Sequence, residues 1–240
     1  MPYFDQSESE VRFEWGMMGV QTLAPISDVI VIVDVLSFTS CVDVVVGNGG
    51  IVFPFKGEAE ALAGFAEARN AMVASRNRTH HTGFSLSPHS LLKAPKGTRL
   101  VLPSPNGSRL SLATGNVPTL AGCLRNAQAV ALKASQLGKR ISVIAAGERW
   151  RDGSLRPSLE DLLGAGVILS YLQGEKSVEA ETAVASFQHQ LPNLSNALFH
   201  CGSGKELVGR GFTEDVLLAA QLNASSVAPV LVDGAYCGSL

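Results

Sequence analysis

Three short turns of this sequence gather the side chains that could do chemistry, and each turn follows an apolar run. After residues 29–33 come Asp34, Ser37, Thr39 and Ser40. After the run ending at Leu102 come Asn106, Gly107, Ser108 and Arg109. After the run ending at Ala146 come Glu148 and Arg149, then Glu160 and Asp161. Arg125 and Asn126 stand just before an alanine-rich segment. Carboxylates among other oxygen ligands suit Mg²⁺, which takes one or two acids and keeps positions for water and substrate oxygens. Arginines and helix N-termini suit phosphate. The combination fits metal-assisted phosphoryl transfer or hydrolysis.

Each residue also has a structural reading. Asp34 at a strand end can cap the next helix. Glu160 and Asp161 in a first helical turn are favoured by the helix dipole. Arg109 and Arg125 can be surface residues or ion pairs, and Asn106-Gly107 is a good turn whatever it binds. Asp43 falls in a helical pattern and reads as a solvated position. His80-His81 reads as exposed loop. The four cysteines, Cys41, Cys123, Cys201 and Cys237, form no C-x-x-C and read as small apolar residues.

The elements that must position these groups follow from periodicity. Five consecutive β-branched residues, 29–33, make a strand that a sheet can bury on both faces. Further strands are expected at 11–15 (an edge), 51–55, 97–102, 118–122, 140–146 and 227–232. Pro54 argues that 51–55 is an edge or a strand end. Helices are expected at 40–46 with Ser37 or Thr39 as N-cap, at 58–74, from 110, and at 126–137. Others are expected from Ser158, with Asp161 in a capping box, to Tyr171, then at 179–188 and 214–222. Residues 76–90 form a long polar loop, a feature that is usually functional or mobile. Strands and helices in this alternation predict an α/β fold: a three-layer α/β/α sandwich with a largely parallel or mixed sheet, in one domain over 1–240. If the strands are parallel neighbours, the three turns share one edge of the sheet, where α/β proteins bind ligands.

Composition narrows the classes. The 240 residues are 46% hydrophobic and 17% charged, which describes a globular chain. A net charge of −2 gives no whole-molecule attraction to nucleic acid or anionic membrane. No apolar run approaches the ~20 residues of a bilayer span, and no signal-peptide core is seen, so a cytoplasmic location is expected. An apolar chain of this kind often forms a homodimer. There is no G-x-x-x-x-G-K-[ST], no G-x-G-x-x-G after a strand and no G-x-S-x-G elbow. Leu36 stands where a D-x-D-x-T phosphatase would carry its second acid.

Read in order, Asp34-Val35-Leu36, Asn106-Gly107-Ser108-Arg109, Asn126-Ala127, Ala146-Gly147, Ser158-Leu159-Glu160-Asp161-Leu162 with Ala165-Gly166, and Ser203-Gly204 with Leu207 and Gly211 resemble the 2-phosphosulfolactate phosphatase family. The resemblance runs over nearly the whole chain. It implies a Mg²⁺-dependent phosphatase on an α/β/α fold that converts 2-phospho-3-sulfolactate to 3-sulfolactate and phosphate, a step towards coenzyme M. Carried over by position are Asp34, Asn106, Gly107, Ser108, Arg109, Asn126, Glu160 and Asp161. Asp34 with Glu160 or Asp161 would hold the metal, and Asp34 with Asp161 is the expected pair. Arg109 and backbone amides after Thr39 and at 106–108 would cradle phosphate, and Arg125 would meet the far end of the substrate. Three places depart from the family pattern, one being Ser104-Pro105-Asn106-Gly107-Ser108 in place of Thr-Thr-Asn-Gly-Thr. Ser37 stands where many members have arginine, and residues 83–88 are a shortened loop without its acid. A different phosphate monoester, or binding of an anionic metabolite without turnover, are the alternatives.

Overall fold

The computed structural model describes residues 3–75, 77, 78 and 83–238, so His80 and His81 lie outside the described residues. In chain order the elements are β1 (Val11–Trp15), α1 (Gly16–Leu23), β2 (Val29–Val33), α2 (Phe38–Gly47), β3 (Ile51–Phe55), α3 (Ala59–Glu67), β4 (Met72–Val73) and α4 (Pro88–Leu91). There follow β5 (Arg99–Pro103), α5 (Gly107–Ser111), β6 (Thr119–Gly122), α6 (Ala127–Leu137), β7 (Ile141–Ala145) and the short hairpin of β8 (Glu148–Arg149) and β9 (Leu155–Arg156). The last part is α7 (Leu159–Tyr171), α8 (Val178–Gln190), α9 (Leu194–His200), α10 (Gly202–Gly209), α11 (Thr213–Ala219), β10 (Val230–Val232) and β11 (Ala235–Cys237).

Strand β2 shows why the fold has three layers. All five residues are fully buried. Val29, Val31 and Val33 point into a core shared with Val130 of α6, Leu163 and Val167 of α7, and Phe187 of α8. Ile30 and Ile32 point the other way, against Val20 and Leu23 of α1 and Leu110 of α5. Alternating side chains thus bury against helices on both faces, as the unbroken β-branched run requires.

The nine-stranded sheet has the order β1-β7-β2-β6-β10-β11-β3-β5-β4. β1, β7, β2 and β6 are parallel neighbours, with β1 at an edge as expected. β3, β5 and β4 form a second parallel block. Three antiparallel steps separate the blocks: β6 to β10, β10 to β11, and β11 to β3. An odd number of reversals makes the blocks run in opposite senses. The turn after β5 is therefore not delivered to the site by parallel neighbourhood with β2; α5 carries it there by packing against β2, β3 and α2.

Several expectations are corrected. β3 is an inner strand, so the edge reading of Pro54 fails and the strand-end reading holds: Pro54 is next to last in the strand, beyond the bridge to β11 at Val52, and its missing N–H breaks nothing there. The helix expected over 58–74 stops at Glu67, where Asn70 takes a left-handed φ of 48° and the chain joins the sheet as β4. The strand at 227–232 is one arm of a hairpin, turned by Asp233-Gly234 with φ of 51° and 77°, the conformation an Asp-Gly two-residue turn favours. α9 and α10 were not foreseen. Helix α2 is real despite its valines because residues 38–46 are buried on every side, and tertiary burial outweighs propensity. Asp43 within it is buried, not solvated.

Candidate active site

Asp34 closes β2, and the chain turns around its carboxylate. Oδ1 accepts from Phe38 N at 3.1 Å, and Oδ2 accepts from Gly107 N at 2.9 Å. Gly107 has to be glycine: a Cβ there would stand 2.2 Å from the Phe38 ring. Thr39 and Ser40 are fully buried and hold the same turn from inside. Thr39 Oγ1 accepts from Asp34 N at 3.0 Å and donates to the Asp34 carbonyl at 2.8 Å, while Ser40 Oγ donates to the Val35 carbonyl at 2.7 Å. The Phe38 and Thr39 amides bond Asp34 itself, and the Cys41 amide bonds the Ser37 carbonyl.

The adjacent acids of α7 do different work. Asp161 accepts from Val35 N at 2.7 Å through one oxygen, and from Gly147 N at 2.9 Å and Ser158 Oγ at 2.8 Å through the other. It ties the ends of β2 and β7 to the start of α7. Ser158 does not make the expected capping bond; its hydroxyl is spent on the carboxylate. Glu160 is also buried, yet its Oε2 has no hydrogen-bond partner among the described residues. Of the two, Glu160 has an oxygen to offer and Asp161 is a brace.

Glu148 completes the cluster. Its Oε2 accepts from Asn106 Nδ2 at 3.0 Å, which joins the second turn to the third. Burial, then the charges of Asp34 and Glu160, push the Glu148 carboxyl up to about 7. Burial also pushes Asp34 up to about 6 against the pull of its two amide bonds, with the Glu160 charge adding to the rise. Asp161 is raised well above the ordinary range by burial and by the charges of Glu160 and Asp34. The Cys201 thiol is pushed to about 12 by burial and the Glu160 charge, and so stays a neutral wall residue. Acids crowded without enough cations raise one another in this way.

The expected binding residues separate into three groups. Asn106, Arg109, Glu148 and Arg149 line a cavity of about 150 Å³ walled by Trp15 and Leu155, with Arg109 and Arg149 exposed. Ser108, fully buried, donates to the Leu102 carbonyl at 2.8 Å and fixes the turn before α5. Arg125 and Asn126 are elsewhere. Arg125 pairs with Asp43 at 2.9 Å on the far part of α2, and Asn126 accepts from Cys123 N at 2.9 Å and donates to the Ala121 carbonyl at 3.2 Å. Neither is bonded to any of the four clustered acids.

Two arginines that sequence reasoning did not single out flank the acids. Arg156 on β9 lies opposite Glu148 in the short hairpin, lowers the Glu148 pKa by its charge, and donates to Ser203 Oγ at 3.3 Å. Arg78, in the segment between β4 and α4, donates to Ser37 Oγ at 2.7 Å, and its charge acts on Asp34. The only trace of Arg78 in the sequence is that its loop is long and polar. Glu148 was more legible, as an acid three residues past a buried strand.

A divalent cation is compatible with this donor set. The orphan oxygen of Glu160 and the raised acids beside it call for positive charge. Among the described residues no three acid, histidine or cysteine side chains form a ready-made cage. Mg²⁺ does not require one, since it keeps waters and substrate oxygens in its shell.

Fold and site together define an α/β protein with a buried acidic centre at the ends of β2 and β7. The family model described as 2-phosphosulpholactate phosphatase matches residues 19–234, and this chain belongs to that family. The chain is 34% identical over 115 residues to the 2-phosphosulfolactate phosphatase of Methanothermobacter thermautotrophicus, a match spanning 48% of each chain. It is 30% identical over 209 residues to a probable 2-phosphosulfolactate phosphatase of Carboxydothermus hydrogenoformans, covering 83% of this chain and 84% of the relative. A protein of the same description from Pseudothermotoga lettingae is 28% identical over 213 residues, covering 87% and 91%. No helix among the described residues is long and apolar enough to cross a membrane.

Proposed function

We propose that this protein is a phosphoric monoester hydrolase acting on a small anionic 2-hydroxy acid phosphate, with 2-phospho-3-sulfolactate as the substrate. The observation that carries the reading is the cross-linking of three turns around buried acids: Gly107 N to Asp34, Asn106 to Glu148, and Val35 N and Gly147 N to Asp161. The relatives' names supply the reaction class.

Asp34 and Glu160 are the residues that would hold Mg²⁺, and Asp161 braces the turns around them. When bound, the ion supplies Lewis-acid polarisation of the phosphoryl group. The protein's own groups do the rest. Arg109 and Arg149 at the cavity mouth attract the anion. Glu148, oriented by Asn106 and half-protonated near neutral pH, can hand a proton to the departing alkoxide as water adds to phosphorus, and it is restored by the proton that the added water sheds. The products are the hydroxy acid and inorganic phosphate.

The test is phosphate release from 2-phospho-3-sulfolactate and a panel of other phosphate monoesters, with Mg²⁺ and with EDTA. Mg²⁺-dependent turnover fastest on the sulfonated ester supports the reading. Turnover on another ester alone moves the substrate, and no turnover on any ester in either condition removes the enzyme.

A further inference from the structure

Arg78 reaches the acid cluster from outside the three turns. Its side chain is 9% exposed. Nε donates to Asp215 Oδ2 at 3.1 Å, and Nη2 donates to Ser37 Oγ at 2.7 Å. Asp215 is itself fixed: its Oδ1 accepts from Ser87 Oγ at 2.6 Å and from His89 N at 3.0 Å. One carboxylate therefore aims the guanidinium, and the Phe212 ring lies 5.9 Å from it. Ser37 is the N-cap of α2, yet its hydroxyl makes no capping bond. Its recorded partner is Arg78. No hydrogen bond between Arg78 and the four clustered acids is found among the described residues.

The arrangement is a buried cation held by an acid on one side and by a neutral hydroxyl on the side of Asp34. A hydroxyl is a weaker acceptor for guanidinium than an oxyanion. A phosphoryl oxygen arriving beside Asp34 would take a charge-assisted bond from the guanidinium N–H groups that Asp215 and Ser37 do not use. We propose that Arg78, set by Asp215 and Ser37, binds the phosphoryl group of the substrate, with Arg109 and Arg149 serving only at the cavity mouth. This rests on the phosphatase reading for its ligand. The rival role is a structural strap that ties the segment before α4 to α11 and α2.

The test is calorimetric titration of the full chain, with Mg²⁺ present and absent, using inorganic phosphate and, separately, 3-sulfolactate. Arg78→Lys should weaken phosphate binding about ten- to a hundredfold, the scale of one hydrogen bond to a charged group, at unchanged circular dichroism. Ser37→Ala leaves the Arg78–Asp215 pair intact and removes one of the two bonds that aim the guanidinium, so it should weaken phosphate about two- to tenfold. Arg140→Gln, which removes an exposed cation paired with Asp28 away from these acids, is the control and should bind as wild type. The proposal is overturned if wild type binds no phosphate, if a folded Arg78→Lys and Ser37→Ala both bind it as wild type does, or if Arg78→Lys weakens only 3-sulfolactate. Arg78-dependent phosphate binding without turnover of any ester would sink the phosphatase reading and leave this site standing.

Discussion

Two buried acidic centres sit along α2, and they have been resolved in opposite ways. At one end Asp34, Glu148, Glu160 and Asp161 crowd together, with backbone amides, Asn106 and Ser158 as their bonded partners. Further along the helix Asp43 meets Arg125 at 2.9 Å, and Arg125 is held in turn by Gln221 and the Leu218 carbonyl. Burial raises the carboxyl of Asp43 too, even against the pull of Ser225 and Arg125. Asp43 has an arginine bonded to one oxygen, while among the described residues no ion pair is made by Asp34, Glu148, Glu160 or Asp161. A protein tolerates the second kind where a ligand brings the missing charge. The contrast separates structure from site better than residue type does, because aspartates and arginines occur at both.

The comparison breaks most visibly at Asp34. Asp34→Asn keeps the volume but puts an amide donor against the Phe38 or Gly107 N–H, and phosphate release should fall about 10²–10³-fold or more. Full activity in that variant would make the acid centre structural after all. Arg125→Met tests the other centre. It leaves Asp43 buried and unpaired, so urea unfolding should show a loss of about 3–5 kcal/mol. The kinetic constants of the protein that remains folded should not move; a matching fall in kcat would join the two centres into one.

A pH series sharpens the difference further. Asp34 at about 6 and Glu148 at about 7 are raised above their ordinary 3.8 and 4.5. Acids raised in the folded state are more readily protonated there than in the unfolded chain. Their stabilising contribution is complete below the unfolded pKa of about 4 and is lost as pH rises through about 6 to 7. Metal-free protein should therefore melt at a lower temperature at pH 8 than at pH 5. Added Mg²⁺ should raise the melting temperature more at pH 8. Equal Mg²⁺ shifts at both pH values would argue against Asp34 as its ligand. The smallest effect is expected from Ser158→Ala, which removes one donor to Asp161 and should cost about 1–2 kcal/mol in denaturant unfolding.

Much of the architecture could be read from local pattern. The β-branched run at 29–33, the alanine-rich helix at α6 and the apolar run at β7 each carry a periodicity strong enough to survive any tertiary context. What failed was where long-range contacts decide. Residues 58–74 look helical throughout, but pairing with β5 claims Met72 and Val73 for the sheet. Pro54 reads as an edge signal, yet the register places it past the β11 bridge. α9 and α10 have weak periodicity and gain their definition from packing against α7 and α11.

For the site, the sequence by itself determined that acids and small polar residues follow the buried strands, because strand ends are where a run of apolar residues must stop. The ordered set of turns was enough to suggest the family. Only the tertiary structure decided which residue does what. Asp161 and Glu160 are neighbours in sequence with the same chemistry; three donors claim Asp161, and among the described residues none reaches Oε2 of Glu160. Arg125 and Arg78 are both arginines; Asp43 claims one, and Asp215 with Ser37 claims the other. Hydrogen-bond partners and charge balance come from residues distant in the chain, and no local pattern encodes them.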